Sequence, residues 1–464
     1  MLLRSIWKFI GKQNQDDIKV DNIYFSETAG SYNKFYFRLI VRKLYDSQLD
    51  PNTKLTNFSN DEMAVLFHEY IHHLQNISSV SGLWHCDALV SIWHNTRNYI
   101  QDNNDKDSYS RALEAHDRVQ FFFRTENQYK GKKSINLNAL KSIQLNIESS
   151  SKDSMKKITE DLIPPIKLEG FVDENRYEIK FGMYEFLESA AYELEKYYRL
   201  QIGMRNPDSD TISIPYKLAQ SLRHVHAPFL SDEQLIKVIL TAMQHIAPHS
   251  AFIFILQELK KIKTKNIDII LEHNIKSLIV QQEEWIDSII TQIHNGFPID
   301  DPVHGNFIKS LFDSIKENII TQKTTPYPEL NFITGVDKDN HKEKLMQLID
   351  KSGGCIIGIK DGLDKNDSFI IGGDESTFIN NRGWQVLQAS THYAMLHYKE
   401  NAIHTQPQDN CECPMISFCR IKNEINDFIK CQQTPWLHPE ATGDGKDCPY
   451  QLAVFKFQLK NSQI

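Results

Sequence analysis

Residues 67–79 read FHEYIHHLQNISS and bring three histidines and one glutamate within six positions. On an α-helix, His68 and His72 lie one turn apart on the same face. Two imidazoles so placed can bind one Zn²⁺, and Glu69 can reach a water on the metal and take its proton as it attacks a carbonyl carbon. His73 is outside this pair and is not needed as a ligand. The residues therefore indicate a hydrolytic zinc site, with a histidine-rich core helix as the alternative.

The motif needs a stable helix, and the surrounding residues predict one over 60–78. Ser59 and Glu62 have the spacing of a capping box, and neither proline nor glycine interrupts the segment. Before it, residues 34–45 alternate apolar and polar side chains, which predicts a half-buried strand. Together with residues 22–26, this strand would form a small N-terminal sheet.

The middle of the chain, from the linker to about residue 322, is expected to be mostly helical. Periodicity predicts helices at 84–101, 107–124, 182–201 and near 382–399, a strand or hairpin at 166–181, and short β-like runs after residue 350. Composition predicts a linker at 203–215. We therefore expect an α+β fold with three units: a domain of residues 1–205 that holds the motif, a mostly helical domain of 206–350, and a small cysteine-rich module of 351–464.

The HEYIH segment, residues 68–72, matches the HExxH signature of the zincin metallopeptidases, and a sheet that leads into the motif helix is similar to their architecture. This resemblance covers at most about the first 205 residues. It implies a zincin-like peptidase domain in which an edge strand, residues 34–45 or a neighbour, holds the substrate in extended form. The longer metzincin form HExxHxxGxxH is not present, because Asn76 and Ser79 occupy its glycine and third-histidine positions. The layout also loosely resembles the intracellular peptidases of bacterial toxin and phage-exclusion (phage defence) systems.

A catalytic zinc requires a third protein ligand and an open position for water. The gluzincin branch of the zincins takes a glutamate from a later helix, and the resemblance implies that residues 182–201 supply it. That helix offers four candidates, namely Glu185, Glu188, Glu193 and Glu195. We expect Glu188, because the small residues 189–191 beside it would let this helix approach the motif helix; an exposed glutamate is the alternative. Some gluzincins have an aspartate four residues after the ligand, where this chain has Tyr192, whose hydroxyl could orient a ligand histidine.

Five of the seven cysteines lie after residue 410. Four thiolates can form a closed structural zinc site. The spacing favours Cys413, Cys419, Cys431 and Cys448 as a possible structural metal site, with His404 or His438 as substitutes for one ligand. An iron–sulfur cluster and ordinary reduced cysteines are the alternatives.

Bulk properties exclude several classes of protein. Hydrophobic residues at 41% and charged residues at 24% are typical of a globular protein, and a net charge of -8 disfavours general nucleic-acid binding. No stretch approaches about 18 uncharged apolar residues, so no membrane span is expected. The first residues lack a secretory signal, and we expect a cytoplasmic protein.

These observations predict a zinc-dependent endopeptidase that cleaves a protein or peptide substrate, with a regulatory protein partner as a further expectation. His68, His72 and Glu188 would bind the metal, and Glu69 would be the general base. A non-enzymatic scaffold or binding protein with structural zinc is the alternative. A metal-dependent nuclease would need more acidic ligands than this helix provides. The sequence does not identify the group that stabilises the oxyanion.

Overall fold

The structure of the chain is a computed structural model. It describes residues 30–33, 38–42, 58–101, 105–123, 143–146, 166–172, 175–204, 215–262, 266–296, 304–352, 354–360, 366–371, 377–400, 402–408, 411–414, 428–437 and 448–458. The predicted strand at 22–26, as well as Cys419 and His438, lies outside the described residues.

Helices dominate the described residues. They are α1 (Asn60–Ile77), α2 (Val80–Gln101), α3 (Lys106–Phe123), α4 (Met183–Gln201), α5 (Leu218–His226), α6 (Asp232–Met243), α7 (Pro248–Lys261), α8 (Ile267–Gly296), α9 (His304–Thr321), α10 (Pro328–Thr334), α11 (His341–Lys351), α12 (Thr377–Leu396), α13 (Phe428–Gln433) and α14 (Pro449–Gln458). A 3₁₀ turn follows α13 at Pro435–Leu437. None of these helices has the length and apolarity needed to cross a membrane.

The strands form three sheets. They are β1 (Gly30–Asn33), β2 (Arg38–Arg42), β3 (Ile143–Asn146), β4 (Ile166–Val172), β5 (Asn175–Phe181), β6 (Cys355–Lys360), β7 (Asn366–Ile371), β8 (Tyr398–Lys399) and β9 (Ala402–Ile403). Their orders are β1-β2-β6-β7, β3-β4-β5 and β8-β9. In the first sheet, β2 and β6 are parallel, while β1 with β2 and β6 with β7 are antiparallel.

The first sheet joins residues from distant parts of the chain. Strands β1 and β2 belong to the segment predicted as domain 1–205, whereas β6 and β7 belong to the segment predicted as module 351–464. Leu39 and Ile357 pair across the parallel interface, and both are fully buried. One continuous cluster of buried apolar side chains runs from Leu39 to Val454. Residues of all three predicted segments therefore belong to one core, and the first and last segments also share a sheet.

Most predicted elements near the motif are present with small changes in their bounds. The helix predicted at 60–78 is α1, the helix predicted at 182–201 is α4, and the hairpin predicted at 166–181 is β4 with β5. Within the strand predicted at 34–45, the described residues Arg38–Arg42 form β2, which lies inside the sheet rather than at its edge. The neighbouring strand β1 is the edge strand on that side of the sheet.

Helix α1 begins and ends with specific hydrogen bonds. Ser59 and Glu62 form the predicted capping box, with the Glu62 carboxylate accepting from Ser59 N at 2.7 Å. The carbonyls at the other end are buried and need partners. Asn318 Nδ2 donates to Ile77 O at 3.0 Å, and Gln322 Nε2 donates to Ser78 O at 2.8 Å. Helix α9 and the residue that follows it thereby hold the C-terminal end of the motif helix.

The backbone at the start of α2 lies very close to the backbone at the end of α1. Ser79 Oγ accepts from Gly82 N at 3.0 Å, so Ser79 caps the start of α2. A Cβ atom added at Gly82 would lie 2.2 Å from Gln75 O and 2.3 Å from Asn76 O. Only glycine fits here without a shift of the last turn of α1.

We therefore expect Gly82→Ala to lower the free energy of unfolding by about 1–3 kcal/mol, because the new methyl group meets backbone oxygens that cannot move independently. Gly296→Ala is the matched control, since an added Cβ there has no atom within 4 Å. Urea unfolding followed by circular dichroism measures both. Equal stability of the two variants would contradict the close approach.

Candidate metal centre

Two antiparallel helices carry the candidate site. On α1, residues 61, 68 and 72 follow the spacing i, i+7 and i+11, which keeps their side chains on one helix face. On α4, residues 188, 195 and 199 follow the same spacing. The two polar stripes face each other.

The contacts between the two stripes show that the helices run in opposite directions. His72, late in α1, meets Glu188, early in α4, with Nε2 and Oε2 3.5 Å apart. Asp61, early in α1, meets Arg199, late in α4, with Oδ1 and Nη1 2.9 Å apart. His68 lies between these two contacts.

Small side chains let α4 lie close to α1, as the sequence predicts. Ser189, Ala190 and Ala191 are buried, and Ala190 lines a small void together with Ile71 and Leu74 of α1. Ser189 Oγ donates to Pro215 O at 2.5 Å, which ties the turn before α5 to α4. These contacts place Glu188 beside the motif histidines.

His68, His72 and Glu188 form a three-residue group that could hold a metal ion. His68 Nε2 lies 3.8 Å and His72 Nε2 lies 3.5 Å from Glu188 Oε2. The three ligand atoms all lie within 4.8 Å of one another. Among the described residues, no other set of three or more His, Cys, Asp and Glu side chains comes together in this way.

Hydrogen bonds to Nδ1 orient both imidazoles. His68 Nδ1 is 2.9 Å from Glu195 Oε2, and His72 Nδ1 is 2.9 Å from Gln75 Oε1. Gln75 is held in turn, because its Nε2 donates to Leu187 O at 3.1 Å. When Nδ1 carries the proton, the Nε2 lone pair of each ring is available to a metal. Both Nε2 atoms face Glu188.

The electrostatics of the group favour a cation. Burial raises the pKa of Glu188, but the His72 charge and hydrogen bonds with both histidines outweigh it and hold the pKa well below its usual value. Burial likewise opposes the charged form of His68, yet its contacts with Glu188 and Glu195 raise its pKa. The cluster of carboxylates therefore stabilises positive charge at this point.

Glu69 and Tyr216 adjoin the cluster. Glu69 is only 6% exposed, and its negative charge acts on His68 and on Tyr216. The Tyr216 ring lies 6.1 Å from the His68 ring, centroid to centroid. Burial and the charges of Glu188, Glu69 and Glu195 raise the pKa of Tyr216, so its hydroxyl remains a hydrogen-bond donor at neutral pH.

The other candidate glutamates and Tyr192 have different contacts. Glu185 Oε2 accepts from Gly182 N at 3.1 Å and caps the start of α4. Glu193 lies beside Lys196, with the charged atoms 3.9 Å apart. The Tyr192 ring packs against Tyr216 at 5.8 Å, while Glu195 makes the hydrogen bond to His68.

His73 points away from the group and into the core. It is fully buried, stacks with Tyr70 at 5.6 Å and lies 5.9 Å from the Trp384 ring. Burial lowers the pKa of His73 to about 3, so the ring is neutral. Its position is therefore separate from the group of His68, His72 and Glu188.

The predicted cysteine site lies only partly within the described residues. Cys413 N donates to Cys431 O at 2.7 Å, and this backbone hydrogen bond brings two of the predicted ligand residues close together. Cys448 is half-buried at the start of α14, and Cys419 lies outside the described residues. The exposed His404 has its Nε2 3.2 Å from Lys399 O. The described cysteines do not form a group of three ligand atoms.

The roles of four residues at the site were not predicted from the sequence: Gln75, Glu195, Arg199 and Tyr216. Glu195 and Arg199 could have been found from the i, i+7, i+11 spacing that they share with Glu188. Tyr216 carries no such signal, because it follows residues 205–214, which are outside the described part, and reaches the site from a separate turn.

No protein-family model matches this chain, and neither the curated proteins nor the solved structures give a match.

The histidines of α1 provide an internal test of the metal group. We expect His72→Ala to abolish binding of about one zinc per chain, because it removes one of three ligands. His73→Ala should keep the zinc while it lowers stability by roughly 2–4 kcal/mol through loss of core packing. Metal analysis after gel filtration and thermal unfolding separate the two effects. Zinc retained by His72→Ala would contradict the ligand assignment.

Proposed function

We propose that this protein is a zinc-dependent endopeptidase of the zincin type that hydrolyses peptide bonds of a protein or peptide substrate. The observation that carries the proposal is the meeting of His68 Nε2, His72 Nε2 and the Glu188 carboxylate within 4.8 Å of one another. The HExxH helix, the sheet against which it packs and a glutamate from a later helix support the resemblance to gluzincins.

The residues fit a zinc ion. Two imidazole nitrogens and one carboxylate oxygen are a common donor set for catalytic zinc. Both rings have Nδ1 engaged and Nε2 directed at Glu188. The Glu188 side chain is only 14% exposed, and a carboxylate so buried is costly without a cation.

Three protein ligands favour a catalytic site over a structural one, because structural zinc sites are usually closed by four. The nitrogen-rich donor set also disfavours Mg²⁺, which prefers oxygen ligands, and so disfavours a metal-dependent nuclease. Bound zinc would supply Lewis acidity and lower the pKa of a water molecule at the open position.

The roles of the chain's own residues follow from their positions. Glu69 adjoins His68 on α1 and would take the proton from the attacking water, then give it to the leaving amine. The Tyr216 ring lies 6.1 Å from the His68 ring, and its hydroxyl would donate a hydrogen bond to the substrate carbonyl oxygen as negative charge develops there. Glu195 and Gln75 would hold the imidazoles in the tautomer that binds the metal.

The substrate would bind beside β1. This strand is an edge of the first sheet over the described residues, and it packs against α1. An edge strand can pair with an extended peptide through backbone hydrogen bonds. That geometry would place a scissile bond near the motif helix.

Glu69→Gln is expected to keep fold and zinc but to lower hydrolysis by about 10²–10⁴-fold, because the amide cannot accept the proton. The assay incubates zinc-loaded protein with a peptide library made from a bacterial proteome and counts new N-termini by mass spectrometry. His73→Ala, corrected for its folded fraction, is the control that should still cleave. If wild type and Glu69→Gln give the same new N-termini, the proposed mechanism is wrong.

Tyr216→Phe is expected to lower kcat by about 100-fold with a small change in KM, because the hydroxyl acts mainly on the charge of the transition state. Tyr192→Phe is the matched control, since it removes a hydroxyl from the adjacent ring. Kinetics on one peptide identified from the library measure both. A larger loss of kcat in Tyr192→Phe than in Tyr216→Phe would contradict the role proposed for Tyr216 and would indicate Tyr192 instead.

A further inference from the structure

One guanidinium connects the two helices that carry the metal group. Arg199 Nε donates to Glu195 Oε1 at 2.6 Å, and Arg199 Nη1 donates to Asp61 Oδ1 at 2.9 Å. Asp61 is in the first turn of α1, and Glu195 is one turn before Arg199 on α4. The Arg199 and Glu195 side chains are only 11% and 12% exposed.

The same carboxylate that Arg199 holds also holds a ligand histidine. Glu195 uses Oε1 for Arg199 and Oε2 for His68 Nδ1 at 2.9 Å. Rotation of the carboxylate would break both contacts together. Because the guanidinium is also fixed by Asp61, the position of Glu195 depends on the register of α1 against α4.

We propose that Arg199 is a positioning residue for the metal centre: bridged between Asp61 and Glu195, it fixes the register of α1 against α4 and the orientation of Glu195, and through Glu195 it fixes the His68 ring for metal binding. This inference rests on the proposed zinc site and adds a residue that does not touch the metal. The Asp61–Arg199 and His72–Glu188 contacts are the two end pairs of the facing stripes, and the His68–Glu195 contact lies between them.

Arginine suits this position better than lysine. Its planar fork has several N–H donors at fixed angles, so it can hold two carboxylates at once in a defined geometry. An ammonium group keeps the charge but offers no such fixed fork. Arg199→Lys should therefore retain part of the effect, and Arg199→Met, which keeps the apolar stem, should lose all of it.

The first measurement is the zinc dissociation constant of the full chain, by competition with a chromogenic chelator. We expect Arg199→Met to weaken zinc binding by about 10- to 100-fold, the range seen when residues that orient metal ligands are removed. Arg199→Lys and Asp61→Asn should give smaller losses. In the cobalt-substituted protein, the visible d–d absorption of Arg199→Met should shift from that of wild type, because the His68 ring is less well oriented.

The second measurement asks whether Arg199 acts through Glu195. Glu195→Gln should weaken zinc binding, and the double variant Arg199→Met/Glu195→Gln should be little weaker than Glu195→Gln alone, since residues in one network are not additive. Independent multiplication of the two losses would overturn the proposal that Arg199 acts on His68 through Glu195.

Arg118→Met is the matched control. Arg118 Nη2 donates to Asp87 Oδ2 at 2.6 Å, and the two side chains are 21% and 13% exposed, so this ion pair is similar but lies outside the metal group. It should lower the thermal unfolding temperature and leave zinc affinity and the cobalt spectrum unchanged.

The outcomes distinguish the two proposals. If folded wild type binds no zinc, the proposed function and this inference both fail. If wild type binds zinc but folded Arg199→Met and Arg199→Lys bind it equally well, only the inference fails. Should Arg199→Met not fold, Arg199→Lys and Asp61→Asn carry the test, and unchanged zinc affinity in both would overturn it.

Discussion

A largely buried carboxylate that lies beside two imidazoles, where two helices pack against each other, is the constraint on which the rest of this structure depends. Glu188 is 14% exposed and lies within 4 Å of both His68 Nε2 and His72 Nε2. Removing such a charge from water is unfavourable unless an opposite charge and hydrogen bonds compensate. The antiparallel packing of α1 and α4 makes this contact, and the small side chains after Glu188 make the packing close.

The carboxylates around Glu188 carry more negative charge than the nearby arginine compensates, so the site favours a cation. Glu69, Glu188 and Glu195 bring negative charge to the same region, and Arg199 compensates only part of it. The field that raises the pKa of His68 would equally attract a divalent metal ion. Tyr216, whose hydroxyl is kept protonated by burial and by these carboxylates, adds a hydrogen-bond donor close to His68.

Much of the chain serves to hold α1 in place. Its first turn is capped by Ser59, its last carbonyls are bound by Asn318 and Gln322, and its turn into α2 admits only glycine at position 82. The sheet beneath it is completed by strands from after residue 354. A segment that reads as a separate module thus contributes to the support of the motif helix, because β2 alone with β1 could not form a stable layer.

Local patterns of residues account for the local features of this structure. The capping box and unbroken periodicity specify α1, and the four-residue spacing puts His68 and His72 on one face because an α-helix has about 3.6 residues per turn. The small residues 189–191 indicate which glutamate could approach that face. Only the tertiary structure decided the partners of these residues: Glu195 on His68, Arg199 on Asp61, Tyr216 beside the rings, and β6 parallel to β2. These contacts join positions more than 100 residues apart, and they depend on the register of packed helices and strands, which no local spacing specifies.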